Sequence, residues 1–266
     1  MKVSYQWLNE FVDIGETPQQ LGTRFTNVGM AVDALEKAGN DFVFELDVAT
    51  NRPDCLSHFG VAREIAAIYG STLRPPKFEL REAEERATDV VTISISDPDL
   101  CARYCGRYIA GVKIGPSPEW LKSRLEALGV RSINNVADAT NYVMLELGQP
   151  LHAFDADRLS GHQIIVRRSG LDEKMKTLDG VERELNPSIL VIADATRAIA
   201  SPASWAARKP RFRPPRLMCF WKARISIHFP FGKHLARLAS PPRLLIASNA
   251  AQTSKWPVSR AIARRP

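Results

Sequence analysis

The chain has 266 residues, 45% of them hydrophobic and 24% charged, which is ordinary for a globular protein with one large core or two small ones. Charged residues interrupt every apolar run, which excludes a transmembrane helix, and the opening segment is too polar for a secretory signal. The net charge of +7 arises in the tail alone, because residues 197–266 hold fifteen Lys and Arg and no acid, whereas residues 1–196 hold 29 acidic and 21 basic side chains.

The first 74 residues are patterned as a small α/β unit. Ser4, Thr17 and Ser57 each stand where a side-chain oxygen can cap a helix, and Thr17 is followed by a proline suited to the first helical position. The stretch FVFELDV alternates apolar and acidic residues with the period of a strand. The predicted elements are helices over 4–12, 17–29 and 57–70 and a strand over 42–48.

A charged, proline-containing linker is predicted over residues 75–90, followed by a second α/β module over 91–200. Its predicted elements are strands at 91–95, 104–112, 163–168 and 189–192 and helices that open at 117 and span 137–147. The predicted fold class is therefore α/β (α+β), with a small N-terminal unit, a truncated mixed-sheet module and an irregular tail.

Residues 201–266 lose this pattern. The tail is rich in Arg, Pro, Ser and Ala, holds half of the chain's 18 prolines and places its aromatic residues without a period. One interpretation is a basic arm that binds nucleic acid. The other is an accidental reading frame, which also lacks acids, and we expect such a tail to be disordered.

The four cysteines are scattered, without a Cys-x-x-Cys pair or a histidine cluster. This spacing disfavours a zinc site and a disulfide framework. We expect free thiols, no bound metal and a cytoplasmic location.

Three stretches are distinctive: MKVSYQWLNEFVDI with the following NVGMAVDALE, at which a helix is expected to end; ELDVATNRPDCLSHFGVAREIAAIYG; and RSINNVADATNYVMLELGQPLHAFDADRL, from Arg131 to Leu159. Together they resemble the N-terminal part of the beta subunit of bacterial phenylalanine–tRNA ligase, and the third resembles the heart of its editing module. In the common bacterial form an oligonucleotide-binding barrel is inserted between the first two stretches. Here only a short segment that begins with Lys37–Asp41 separates them, which indicates a short form without that barrel.

The genetic code allows the tail to be read in another frame and compared with the sequence that the family would have after Ala200. Relatives would continue after Ala200 with a pattern such as LAGVMGG and, later, NVLLES. When the last base of each tail codon is read with the first two of the next, the single codons of Trp and Met force Gly at Trp205/Ala206, Val at Met218/Cys219 and Glu at Trp221/Lys222. Each forced residue fits the family pattern, so the resemblance implies a frameshift near Ser201.

The resemblance also implies the site. The family's editing residues correspond to Thr140, Asn141 and His152, which are expected to converge as the Gly148–Pro150 turn folds a histidine-bearing loop back on the helix. Taken without the family, such residues usually serve structure alone. The family's glutamate, which senses the tyrosine hydroxyl, falls at the Trp221/Lys222 junction and is not translated.

The implied family role is synthesis of phenylalanyl-tRNA with hydrolytic editing of Tyr-tRNA(Phe). The implied partners are tRNA(Phe) and an alpha subunit, and no membrane is implied. ATP and Mg²⁺ serve the family complex through regions that this sequence does not contain, so no cofactor is expected here and this chain alone is expected to be inactive. Two alternatives remain open: a stand-alone, non-catalytic tRNA-binding module, and a free-standing trans-editing hydrolase.

Overall fold

The computed structural model describes residues 1–78, 82–176 and 182–200, together with the backbone of 216–222. The helices are α1 (Tyr5–Phe11), α2 (Pro18–Asn27), α3 (His58–Tyr69), α4 (Glu119–Ala127) and α5 (Asn135–Leu147). The strands are β1 (Lys2–Ser4), β2 (Ala31–Ala38), β3 (Asp41–Asp47), β4 (Thr92–Ile95), β5 (Tyr104–Ala110), β6 (Leu151–Asp155), β7 (Gln163–Arg168), β8 (Lys174–Lys176), β9 (Glu182–Glu184), β10 (Leu190–Ala193), β11 (Ala198–Ala200) and β12 (Arg216–Lys222). This mixture of helices and sheets confirms the predicted α/β class.

The three predicted caps open the first three helices. Ser4 accepts a hydrogen bond from the Trp7 N–H, Ser57 accepts one from the Gly60 N–H, and Thr17 forms a reciprocal capping box with Gln20. Local capping chemistry thus fixed these helix starts.

The N-terminal sheet has three antiparallel strands in the order β1-β3-β2, of which the sequence predicted β3 alone. The segment AVDALE, which lies beyond the predicted end of the second helix and was not predicted as a strand, forms part of strand β2, because it pairs with β3. Gly39, with φ of 61°, and Asn40 form the turn between β2 and β3. A two-residue hairpin therefore occupies the place where the resemblance would put an inserted barrel.

One core spans both predicted units. Leu121 and Leu125 of α4 and Tyr142 of α5 are fully or almost fully buried and cluster with residues of α1, α3 and β3. The boundaries 1–74, 75–90 and 91–200 remain predictions, but α4 and α5 share the hydrophobic core of the first unit.

Two larger sheets and one two-stranded hairpin contain the remaining described strands. The mixed sheet has the order β11-β10-β7-β4, in which β4 runs parallel to β7 and the other pairs are antiparallel. Strands β8 and β9 form a separate hairpin. A three-stranded antiparallel sheet has the order β5-β12-β6 and is named the bridged sheet, because β12 joins β5 to β6. Strand β12 lies in the region expected to be irregular, and residues 201–215 and 223–266 of that region lie outside the described residues.

Among the described residues, no helix combines the length and apolar character needed to cross a bilayer.

Candidate functional site

Helix α5 carries two of the predicted site residues and is fixed at both ends. Asn134 caps it by accepting hydrogen bonds from the N–H groups of Val136 and Ala137. At the other end Gly148 adopts the left-handed conformation, with φ of 76°, against Ser57. The start predicted at residue 137 is two residues late, because the Asn134 cap begins the helix ahead of the apolar pattern.

Asp138 holds the loop that precedes this helix and was missed by sequence reasoning. Its fully buried carboxylate accepts hydrogen bonds from the hydroxyls of Ser117 and Ser132 and from the N–H of Ile133, the last at 2.9 Å. Three donors satisfy a charge that burial would otherwise disfavour. An acid between two alanines in the first turn of this helix was the sequence signal that could have revealed it.

Thr140 and Asn141 follow within the same helix. Thr140 is buried, and its hydroxyl donates to the Ala137 carbonyl at 2.7 Å. Its oxygen is then left as an acceptor toward any ligand. Asn141 is half-buried on the neighbouring side of the helix.

His152 was predicted in a loop, but it lies in strand β6. The half-buried imidazole stacks with Phe154, two residues further along the same strand face, at a centroid distance of 6.1 Å. This strand was not predicted, because the turn-forming residues Gly-Gln-Pro directly precede it and favour a loop.

The two faces of the bridged sheet have different neighbours. Ile109 of β5 and Ala153 of β6 pack in one cluster with Val136 of α5, so the helix covers that face. Phe154 packs instead with Tyr104 and Tyr108 in the core of the second module.

Strand alternation therefore turns His152 away from the face that α5 covers. The structure brings α5 against β6, but it does not turn His152 toward the helix as the sequence had predicted. The roles of Thr140, Asn141 and His152 remain predictions.

Strand β12 lies between β5 and β6, and its pairing with both strands defines which residues of the bridged sheet lie opposite one another. Position 220 pairs with His152 and with Gly106, and position 222 pairs with Tyr104. Because side chains alternate along a strand, positions 218, 220 and 222 belong to the face of His152, whereas 217, 219 and 221 belong to the face that α5 covers.

Behind α5, a stack of rings ties the helix to the N-terminal unit. Trp7 stacks on His58 at 4.0 Å and on Tyr142 at 4.5 Å between ring centroids, with the Arg124 guanidinium 5.4 Å from its ring. The Tyr142 hydroxyl accepts from Arg124 at 3.1 Å and donates to Glu146 at 3.2 Å. Burial raises the pKa of Tyr142 and keeps the phenol neutral.

One further cluster lies away from this helix. Ligand atoms of Asp54, Cys55 and Glu64 lie within 4.8 Å of one another, a grouping that could hold a metal ion. The Arg52 guanidinium already contacts both carboxylates, at 2.9 and 2.7 Å, and the Cys55 sulfur at 3.1 Å. Among the described residues, Cys55, Cys101 and Cys105 are free thiols, as predicted.

A family model, several known proteins and one solved structure are similar to this chain. The B3/4 domain model matches residues 100–208. Phenylalanine–tRNA ligase beta subunits are similar: that of Moorella thermoacetica is 57% identical over 169 residues (63% of this chain and 21% of the relative), and that of Anaeromyxobacter dehalogenans is 52% identical over 175 residues (66% and 21%). That of Rhodopirellula baltica is 42% identical over 200 residues (75% and 29%).

The chain thus spans less than a third of the length of these relatives. Among solved structures, an N-terminal fragment of the phenylalanyl-tRNA synthetase beta subunit from Pyrococcus horikoshii is similar with a TM-score of 0.45 and 16% identity, over 84% of this chain and 67% of that one.

Proposed function

We propose that this chain, whose N-terminal region is homologous to that of phenylalanine–tRNA ligase beta subunits, carries an incomplete site for hydrolytic editing of Tyr-tRNA(Phe). The similarity at 57% identity and the B3/4 domain match support the relationship. The observation that carries the site is the register of β6 and β12, which puts His152 on one sheet face with position 222.

Editing is chemically necessary wherever phenylalanine must be distinguished from tyrosine. A pocket shaped for an apolar ring rejects an added hydroxyl only weakly, by roughly a hundredfold in comparable cases. A second site that binds the phenol through hydrogen bonds reverses the preference, because phenylalanine leaves its polar groups unpaired at a cost of about 1–3 kcal/mol.

The missing acceptor for that phenol has a defined place in the fold. If LAGVMGG follows directly after Ala200, its first residue takes position 201. The residue at each later position of the alternate frame is then encoded by the last base of the preceding codon and the first two bases of the codon at that position. The glutamate forced at the Trp221/Lys222 junction then takes position 222. Position 222 lies two residues from the position paired with His152, on the same face of the bridged sheet.

Such diagonal neighbours on one sheet face lie about 7–8 Å apart, within reach of a glutamate and an imidazole that share one small ligand. The half-buried His152 orients a water molecule or the terminal ribose, and the carboxylate accepts the phenol hydrogen. Tyr104, buried and paired with position 222, forms the wall beside them. The translated residue is Lys222, which cannot accept a hydrogen bond, so this polypeptide edits poorly.

Thr140 and Asn141 have a more distant role in this arrangement. Since α5 covers the other face of the bridged sheet, these residues do not lie beside His152, and they support the site from the helix side. The Thr140 hydroxyl donates to the Ala137 carbonyl and so helps to fix the backbone of α5 at this turn.

The remaining functional assignments follow from the relationship and are proposals of the same kind. The intact assembly acts in the cytoplasm with tRNA(Phe) and an alpha subunit, and its ATP and Mg²⁺ chemistry lies in parts that this chain does not carry. The tail beyond residue 200 is the product of a shifted frame. This accounts for its fourteen basic and no acidic residues better than a tRNA-binding arm does.

The experiment compares this chain with the product of a gene in which one base restores the frame after the codon for Ala200. We expect single-turnover hydrolysis of Tyr-tRNA(Phe) by the restored product at least about a hundredfold faster than by this chain. In the restored product His152→Ala abolishes the gain, and Thr140→Val reduces it less. A restored product that folds and binds tRNA(Phe) but leaves Tyr-tRNA(Phe) intact contradicts the proposal.

A further inference from the structure

The bridged sheet places a tail segment as its middle strand. Strand β12 pairs with β5 at every position from Arg216 to Lys222 and with β6 from Leu217 to Trp221. Strands β5 and β6 are not neighbours of each other. Together they form a slot one strand wide, defined here as the space between Tyr104–Ala110 and Leu151–Asp155.

We propose that this slot accepts a separate extended peptide in place of β12, and that its occupant is a strand with an acid at the position now held by Lys222. This inference rests on the proposed function for the identity of the acid. The docking itself rests on the sheet order alone.

Backbone pairing makes the slot tolerant of sequence. A middle strand exchanges N–H and C=O hydrogen bonds with two neighbours, and both neighbours present open edges when it is withdrawn. Peptides that add a strand to such edges bind mainly through the main chain, while alternate side chains confer specificity. A translated tail segment of accidental sequence can sit there for the same reason.

The faces of the slot select the side chains. Tyr104 and Tyr108, both buried, and the pair His152 and Phe154 flank positions 218, 220 and 222. On the other face, apolar groups packed beneath α5, such as Ile109 and Ala153, flank positions 217, 219 and 221. A carboxylate on the face of His152 has the imidazole as a hydrogen-bond partner, whereas one beneath the helix would lie among apolar groups.

The alternate frame constrains the peptide, forcing Val at position 219 and Glu at position 222 and leaving the other positions open. Read from position 218, it permits NVLLES, with the forced Glu at 222. The control peptide NVLELS has the same composition but moves the acid to 221, on the face that α5 covers.

The test uses the full chain with Met218→Pro and Phe220→Pro, which remove two backbone N–H donors of β12 and so weaken its pairing with one neighbouring strand. We expect NVLLES to slow amide hydrogen exchange in β5 and β6 by roughly tenfold or more, and NVLELS to have a much smaller effect. Addition of NVLLES is further expected to start hydrolysis of Tyr-tRNA(Phe) that His152→Ala abolishes.

The two proposals fail separately. Unchanged exchange in β5 and β6 with millimolar NVLLES, or equal protection by the two peptides, overturns the docking proposal. Protection by NVLLES without any hydrolysis supports the slot and contradicts the editing function. If the unmodified chain forms dimers in which 216–222 of one copy protects β5 and β6 of the other, the occupant is a second copy and the proposed occupant is wrong.

Discussion

The buried imidazole of His58 is hydrogen-bonded to the Leu145 carbonyl of helix α5, with Nδ1 2.9 Å from the oxygen. Its other nitrogen, Nε2, accepts the backbone N–H of Ser4 at 3.0 Å, so Nδ1 carries the proton and donates to Leu145. One neutral histidine thereby connects the end of β1 to the helix that carries Thr140 and Asn141.

Acid should loosen this connection. Burial, aided by repulsion from the nearby Arg124, lowers the pKa of His58 to about 4 from the usual 6.5. Between pH 6.5 and 4 the unfolded chain binds a proton that the folded chain excludes, so stability is fully present above pH 6.5 and declines as the pH falls. The decline amounts to about 3 kcal/mol and is measurable by urea unfolding across this range.

The variant His58→Gln serves as the control for that titration. It keeps a side chain of similar reach without a titrating group, so we expect lower stability at pH 7.5 and a flatter dependence between pH 6.5 and 4. A slope as steep as that of the parent chain would assign the acid sensitivity to other groups.

Trp7 is expected to be the most sensitive aromatic residue of the shared core. It is 1% exposed and stacks on both His58 and Tyr142, so Trp7→Ala opens a cavity and should cost about 3–5 kcal/mol in unfolding free energy. The half-buried Trp120, which meets Tyr142 edge-on, provides the matched control, and Trp120→Ala should cost clearly less. Equal losses in thermal or urea unfolding would refute the central place given to Trp7.

Asp138 should matter for the position of α5 beyond its effect on stability. In Asp138→Asn an amide NH₂ replaces an oxygen that accepts from Ser117 and Ser132, and we expect a loss of about 2–3 kcal/mol. Hydrogen exchange at the α5 N-terminus should also increase. The exposed Asp172→Asn should alter neither quantity, and similar behaviour of the two variants would contradict the assigned role.

Much of the fold could be predicted where local chemistry decides. The capping residues Ser4, Thr17 and Ser57 identified three helix starts, because each cap accepts a hydrogen bond from a backbone N–H only three residues further along the chain. Strand β7 was also predicted with its observed bounds, Gln163–Arg168.

The missed elements depend on contacts between distant residues. Strand β2 exists because it pairs with β3, and β12 exists because β5 and β6 flank it. Within the site, the motif identified His152, but only the sheet register reveals which face it occupies. Local sequence cannot state on which side of a sheet a helix will pack.

The most direct test of the central relationship, that His152 and position 222 share a face, compares two single substitutions in this chain. We expect Lys222→Glu to increase single-turnover hydrolysis of Tyr-tRNA(Phe) by roughly tenfold over the parent chain, and this gain should depend on His152. Trp221→Glu should give no increase, because position 221 belongs to the other face of the sheet. Equal rates for the two variants, or a gain that survives His152→Ala, would contradict the account.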